Sequence, residues 1–221
     1  MKYNKEPPSD LYKRIMPPQF IVNAIKRLNA AGFEAYIVGG AVRDAYLHRH
    51  ISDWDVATSA SFERINRIFS DIRRYNLKNE TVILVDSGYE YEVSTFRCRD
   101  SSSQSLEEDL MHRDFTLNAM SYDIIEKKLF DPQDGRTDIG NRIVKAVGDP
   151  EERFIEDPLR LFRAVRISVE LGFRIEKETM GKIIEMSEYL NSVANERIRD
   201  EMMKVLMAPK PSKGYNLLKK K

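Results

Sequence analysis

A change in hydrophobic period near residue 150 restricts the fold more than any other feature of this 221-residue chain. Before it, segments with period two alternate with segments at helical spacing. From Pro150 onward only helical spacing remains, over 157–171, 177–190 and 195–207, with breaks at Gly172 and around Asn191 and Ser192. In the first part, residues 19–31 form an amphipathic helix whose stripe is Phe20, Ile21, Ala24, Ile25 and Leu28, ended by Gly32. Residues 34–38 read as a strand running into Gly39-Gly40, and 41–48 as a helix. Strands are expected at 51–57, 81–86 and 89–97, with Ser87-Gly88 between the last two, and a helix at 61–69. Residues 115–125 fit either helix or strand. The expected organisation is a mixed α/β domain over 1–146 and an all-α domain over 147–221, an α+β chain joined after the turn-rich Asp131-Pro132-Gln133-Asp134-Gly135. The closing GYNLLKKK breaks off within an apolar-basic pattern, as a piece of a longer chain does.

The strand at 51–57 puts Asp53 and Asp55 on one side and Trp54 and Val56 on the other. Carboxylates at i and i+2 lie close enough to share a hard divalent cation through oxygen ligands. An isolated Asp-x-Asp more often decorates a solvated sheet face. Here the apolar residues between and after the aspartates imply a buried opposite face, and two like charges side by side favour a neutralising cation. In the strand 89–97, Glu90 or Glu92 supplies a third acid if that strand is the neighbour. Gly39-Gly40 between strand and helix lets the backbone approach a phosphate, with Arg43 adding positive charge, although two glycines alone are equally an ordinary tight turn.

Composition narrows the remaining classes. Charged residues at 32% and hydrophobic ones at 42% fit a globular protein. No apolar run approaches the ~20 residues needed to cross a bilayer, and the polar MKYNKEPPSD start is no signal peptide, so a cytoplasmic protein is expected. Cys98 is the only cysteine, which excludes a disulfide or a cysteine zinc site within one chain. Residues 153–221 carry 15 Lys and Arg against 10 Asp and Glu. That excess suits a polyanion, and it equally suits a solvated helical surface.

Six segments in order carry a resemblance: Gly39-Gly40-Ala41-Val42-Arg43-Asp44, Asp53-Trp54-Asp55-Val56-Ala57-Thr58, Arg113-Asp114-Phe115-Thr116-Leu117-Asn118-Ala119, Asp131-Pro132-Gln133-Asp134-Gly135, Glu156-Asp157-Pro158-Leu159-Arg160 and Glu196-Arg197-Ile198. Together they resemble the motif series of the class II tRNA nucleotidyltransferases, which comprise the CCA-adding enzymes and the bacterial poly(A) polymerases. The resemblance implies a polymerase-beta-like nucleotidyltransferase head with a small mixed sheet and an all-α neck. It implies Mg2+ held by Asp53 and Asp55 with Glu92 as third catalytic acid, and a triphosphate contacted by Gly39, Gly40 and Arg43. Arg113, Asp114 and Asn118 fall in the ribose-holding motif, Asp157 and Arg160 in the pair that reads the base edge of CTP and ATP, and Arg163 and Arg166 on basic positions lining the nucleotide site. The partner implied is the 3′ end of tRNA.

Physics supports the base-reading pair, since arginine is a fork of donors and aspartate only accepts. Yet Asp157-Pro158 is also a good helix start, with Arg160 then a surface residue. Arg160, Arg163 and Arg166 step three at a time and drift around a helix, so they do not all face one base. His112 stands where the family usually has an arginine, and His48 and His50 are expected to be exposed. Tyr36, Tyr89 and Tyr91 are expected in sheet packing. The short stretch from Arg97 to His112, with Ser101–Ser103, resembles members adding CC alone. The alternatives are a poly(A) polymerase-type adenylyltransferase and a catalytically silent RNA-binding fragment.

Overall fold

A computed structural model describes residues 11–77, 80–98 and 105–219. Ser101–Ser103 and the last two lysines lie outside the described residues. The chain divides into two compact units, Met1–His112 with Asn118–Gln133, and Arg113–Leu117 with Asp134–Lys221.

The first unit is built on a seven-stranded sheet. Its strands are β1 (Ala35–Val38), β2 (Asp55–Thr58), β3 (Arg73–Asn76), β4 (Thr81–Asp86), β5 (Tyr89–Thr95), β6 (Ser121–Asp123) and β7 (Lys128–Phe130), in the order β3-β4-β5-β2-β1-β6-β7. All neighbours are antiparallel except β2 and β5, whose register pairs Asp55 with Glu92 and Val56 with Val93. The short α1 (Leu11–Arg14) precedes α2 (Gln19–Ala30), which buries the whole predicted stripe of Phe20, Ile21, Ala24, Ile25 and Leu28. The helices α3 (Gly40–Tyr46), α4 (Phe62–Ile68) and α5 (Leu106–Met111) complete the unit. Ser61 and Ser105 cap the last two, each accepting from the backbone N–H three residues on. Tyr91 is buried under Phe20 as expected of sheet packing, whereas Tyr89 is 62% exposed and stacks on the same ring.

Two expectations change here. β2 starts at Asp55 rather than 51, because its antiparallel partner β1 ends at Val38, opposite Asp55; upstream only Trp54 O continues the ladder, accepting from Glu92 N–H. α3 ends at Tyr46 rather than 48. His48 takes a left-handed conformation at φ 55°, and Arg49 N–H donates to Asp44 O across the end. The ambiguous 115–125 stretch becomes a 3-10 turn at Thr116–Asn118 followed by β6.

The second unit is helical apart from β8 (Ile143–Val144) and β9 (Arg174–Ile175), a two-residue parallel ladder too short to leave a period in the sequence. Its helices are α6 (Gly135–Gly140), α7 (Pro150–Glu156), α8 (Leu159–Leu171), α9 (Lys177–Glu185), α10 (Asn195–Met207) and α11 (Pro211–Leu218). α8 is the core element: Leu159, Phe162, Val165 and Val169 pack against residues of α10 and α11 and the segment before α10, and Leu161 against Phe154 of α7 and Met186. The expected 177–190 helix stops at Glu185 and continues as a 3-10 segment, Ser187–Ser192. Among the described residues no helix is long and apolar enough to cross a membrane.

Candidate active site

In the first unit, β1 delivers the chain to Gly39, which turns at φ 70° and ψ −132°, a conformation open essentially to glycine. Its N–H donates to Met120 O. One turn into α3 stands Arg43. Its Nε and Nη2 donate to the two carboxylate oxygens of Asp44 at 3.0 and 2.8 Å, and its Nη1 donates to Asn118 Oδ1 at 2.8 Å. The structure thus joins the glycine-turn motif to the end of the Arg113–Ala119 motif.

Asp53 is exposed and accepts from Ser52 Oγ at 3.1 Å; Asp55 is half-buried at the head of β2. Trp54 and Val56 between and beyond them are buried, as the alternation predicted. Glu92 is exposed and is the direct partner of Asp55 across the parallel ladder, so the two project from the same sheet face. Glu90 pairs with Val85 instead. Among the described residues no group of three acidic, histidine or cysteine side chains comes together to hold a metal, and a metal reading therefore rests on the aspartate pair. Oxygen donors at an open strand end fit a hard divalent cation, which keeps most of its shell as water or phosphate oxygen.

In the second unit, Arg113 and Asp114 are buried, and the segment is pinned by backbone. Thr116 N–H donates to Lys145 O, Val147 N–H to Asp114 O, and Phe115 bridges Ala146. Thr116 Oγ1 donates to Asp138 at 2.7 Å. Asp114 Oδ1 accepts from Phe115 N–H, and Oδ2 accepts from Arg163 Nε and Nη2 at 2.9 and 2.6 Å. That carboxylate holds the Arg163 guanidinium above its ordinary pKa.

Asp157 lies in the break between α7 and α8. Its Oδ1 accepts from Leu159 N–H at 3.2 Å, as a cap would, and its Oδ2 accepts from Arg197 Nη2 at 3.0 Å. Arg160 donates to Glu156 at 2.8 Å and to Arg153 O. The base-reading candidates are therefore each steadied by another charged group. Arg166 is engaged elsewhere on α8, donating to Glu201 at 2.5 Å and Glu170 at 2.8 Å, which ties α8 to α10. Sequence reasoning assigned no role to Asp44, Arg197 or Glu201. Glu201 was detectable in principle, because it interrupts the apolar stripe of Ile198 and Val205 and a charge there requires a partner.

A small mixed sheet with paired aspartates at the head of one strand, followed by a helical unit, defines a polymerase-beta-like nucleotidyltransferase head and neck. Residues 35–145 match the family of the poly A polymerase head domain, and residues 172–221 match the probable RNA and SrmB-binding site of polymerase A. The chain belongs to this family, the class II tRNA nucleotidyltransferases that comprise the CCA-adding enzymes and bacterial poly(A) polymerases. It is 40% identical over 216 residues to the CCA-adding enzyme of Ligilactobacillus salivarius (strain UCC118), covering 93% of this chain and 52% of that one. The crystal structure of Bacillus stearothermophilus CCA-adding enzyme in complex with CTP superposes with a TM-score of 0.83 at 41% identity, over 92% of this chain and 52% of that one. A tRNA nucleotidyltransferase complexed with a primer tRNA and an incoming ATP analog gives 0.75 at 26% identity, over 89% and 60%. The chain spans about half the length of the curated relatives it matches.

Proposed function

We propose that this chain adds CMP and AMP to the 3′ end of tRNA without a nucleic-acid template, in the cytoplasm. The observation that carries the reading is the Asp53 and Asp55 pair, beside Glu92, in a chain 40% identical to a CCA-adding enzyme over 93% of its length. The reaction is attack of the RNA 3′-hydroxyl on the α-phosphate of CTP or ATP, with pyrophosphate leaving. Magnesium bound at Asp53 and Asp55 supplies charge neutralisation at the triphosphate and a more acidic 3′-hydroxyl.

The rest falls to the protein. Glu92 adds negative charge next to Asp55 and strengthens cation binding there. The backbone at Gly39 and Gly40 and the Arg43 guanidinium bind triphosphate oxygens. In the second unit, Arg113 and Asp114 hold the ribose, Arg163 steadies Asp114, and Asp157 with Arg160 offers acceptors and donors to the base edge. Arg166 braces the helix that carries them. The division into a head at 1–146 for chemistry and a neck at 147–221 for nucleotide choice draws support from the head-domain match, which ends at 145, while residues 113–117 and 134–146 cluster with the second unit.

The test is incubation of the protein with magnesium, tRNA lacking its 3′ end, and CTP or ATP separately and together. CMP incorporation followed by AMP is the expected result, CMP alone makes it a CC-adding enzyme, and ATP-only incorporation into generic RNA overturns the tRNA reading. An inert wild type that still binds RNA makes it a binding module, whereas Asp53→Ala losing addition but keeping RNA supports the enzyme.

A further inference from the structure

The carboxylate of Asp44 takes no part in that reading, yet it binds two of the three nitrogens of Arg43. The bonds are parallel, Nε to Oδ1 and Nη2 to Oδ2, a fork on a fork. Adjacent residues on a helix do not normally face each other. Here they meet because the arginine folds back along α3, bringing Nη2 over Gly40, where an added Cβ would stand 3.5 Å away. Asn118 takes Nη1. Both side chains are largely enclosed, at 12% and 17% exposure. A guanidinium has five N–H groups, so three are committed and the plane of the group is set. Asp44 Oδ1, which accepts from Arg43 Nε, also lies 3.6 Å from Arg49 Nε, so the carboxylate has two cations near it.

We infer that Asp44 is a positioning residue for nucleotide binding, fixing the Arg43 guanidinium so that its two remaining N–H groups meet triphosphate oxygens already aimed. An arginine ordered beforehand loses less freedom when the nucleotide arrives. This rests on the assignment of Arg43 to the triphosphate. Its signature differs from that of charge alone. A carboxylate beside a phosphate site repels the phosphate, so if only charge mattered, removing it would tighten binding.

The experiment is a double-mutant cycle on the full chain, with KM and kcat for CTP and ATP measured for Asp44→Asn, Arg43→Lys and the pair. Asp44→Asn is expected to raise the nucleotide KM about tenfold with kcat largely kept, and to change it less than about twofold once Arg43 is lysine, whose single ammonium cannot donate the two parallel bonds of the fork. A lowered KM, or an equal rise in both backgrounds, overturns the inference. Asp44→Ser serves the same comparison if the asparagine variant does not fold. If the wild type incorporates neither nucleotide, the functional reading fails by itself and NMR still decides Asp44. The Arg43 Nε–H resonance is expected to exchange slowly in the wild type and to be lost in Asp44→Asn; a resonance unchanged by the substitution overturns the inference.

Discussion

Asp55 and Glu92 are direct partners on the one parallel ladder of the main sheet, two carboxylates side by side on the same face. Like charges directly opposite on neighbouring strands destabilise a sheet, and a bound cation converts that loss into a gain. Magnesium or manganese is therefore expected to raise the melting temperature, with stabilisation approaching about 2.7 kcal/mol at one hundred times the dissociation constant. Asp55→Asn should melt no lower than the wild type in chelator and gain little from the metal. A wild type whose melting is indifferent to both metals removes the site.

Gly135 presses on the Arg113–Leu117 segment. A Cβ there would lie 2.2 Å from Thr116 O, which is backbone and cannot turn aside. Gly135→Ala is expected to destabilise the second unit by about 1 to 3 kcal/mol, the usual range for overpacking, read by urea denaturation. An unchanged midpoint contradicts the close approach.

Two ion pairs that α10 makes with the rest of the second unit should differ. Glu201 and Arg166 are 7% and 14% exposed, and Glu201→Ala removes one of the two carboxylates that Arg166 meets, Glu170 being the other, so it is expected to cost about 1 to 3 kcal/mol. Arg197 is 53% exposed, and Arg197→Ala should cost under about 1 kcal/mol of stability. Chemical denaturation of both variants checks the ordering, which comparable losses would reverse.

His48 occupies a left-handed conformation without being glycine. His48→Gly is expected to stabilise the first unit by about 1 kcal/mol, because the steric penalty at positive φ disappears. A lower melting temperature would mean that the imidazole makes a compensating contact.

Burial pushes the Tyr91 hydroxyl up to about 12, and that hydroxyl has no hydrogen-bond partner among the described residues. In the unfolded chain tyrosine titrates near 10, so between about pH 10 and 12 the unfolded state holds fewer protons and stability falls as pH rises. The contribution is fully present below about pH 10 and amounts to on the order of 2 to 3 kcal/mol across the window. Tyr91→Phe should remove this alkaline slope while leaving stability at pH 7 equal or higher. A slope identical to the wild type's would assign it to other groups.

What the sequence disclosed follows from where each signal resides. The α2 stripe was legible because its five buried residues share one face, and the Trp54 and Val56 alternation because burial enforces it. The strand's start was not, since it depends on where β1 ends, at Val38. The end of α3 was hidden by a histidine doing what glycine usually does. Asp53, Asp55, Arg43 and Asp157 stand out in the sequence as types in a pattern, and Glu92 as a neighbour of Asp55, but the side chains that hold Arg43 and Asp157 do not. Arg166 meets Glu201 across 35 residues and Arg163 meets Asp114 across 49, separations no local period encodes.

The hydrogen bond from Arg43 to Asn118 spans 75 residues. Its closure requires the chain to have passed through β2, β5 and α5 first, and loop-closure entropy opposes it until neighbouring packing holds the ends together. A nascent chain emerging only as far as β5 thus carries the aspartates and the arginine without the third anchor of that guanidinium. Under the proposed function, the Arg43 guanidinium acquires its full set of anchors only after synthesis has passed Asn118, so the triphosphate contact is expected to mature late in the making of the first unit.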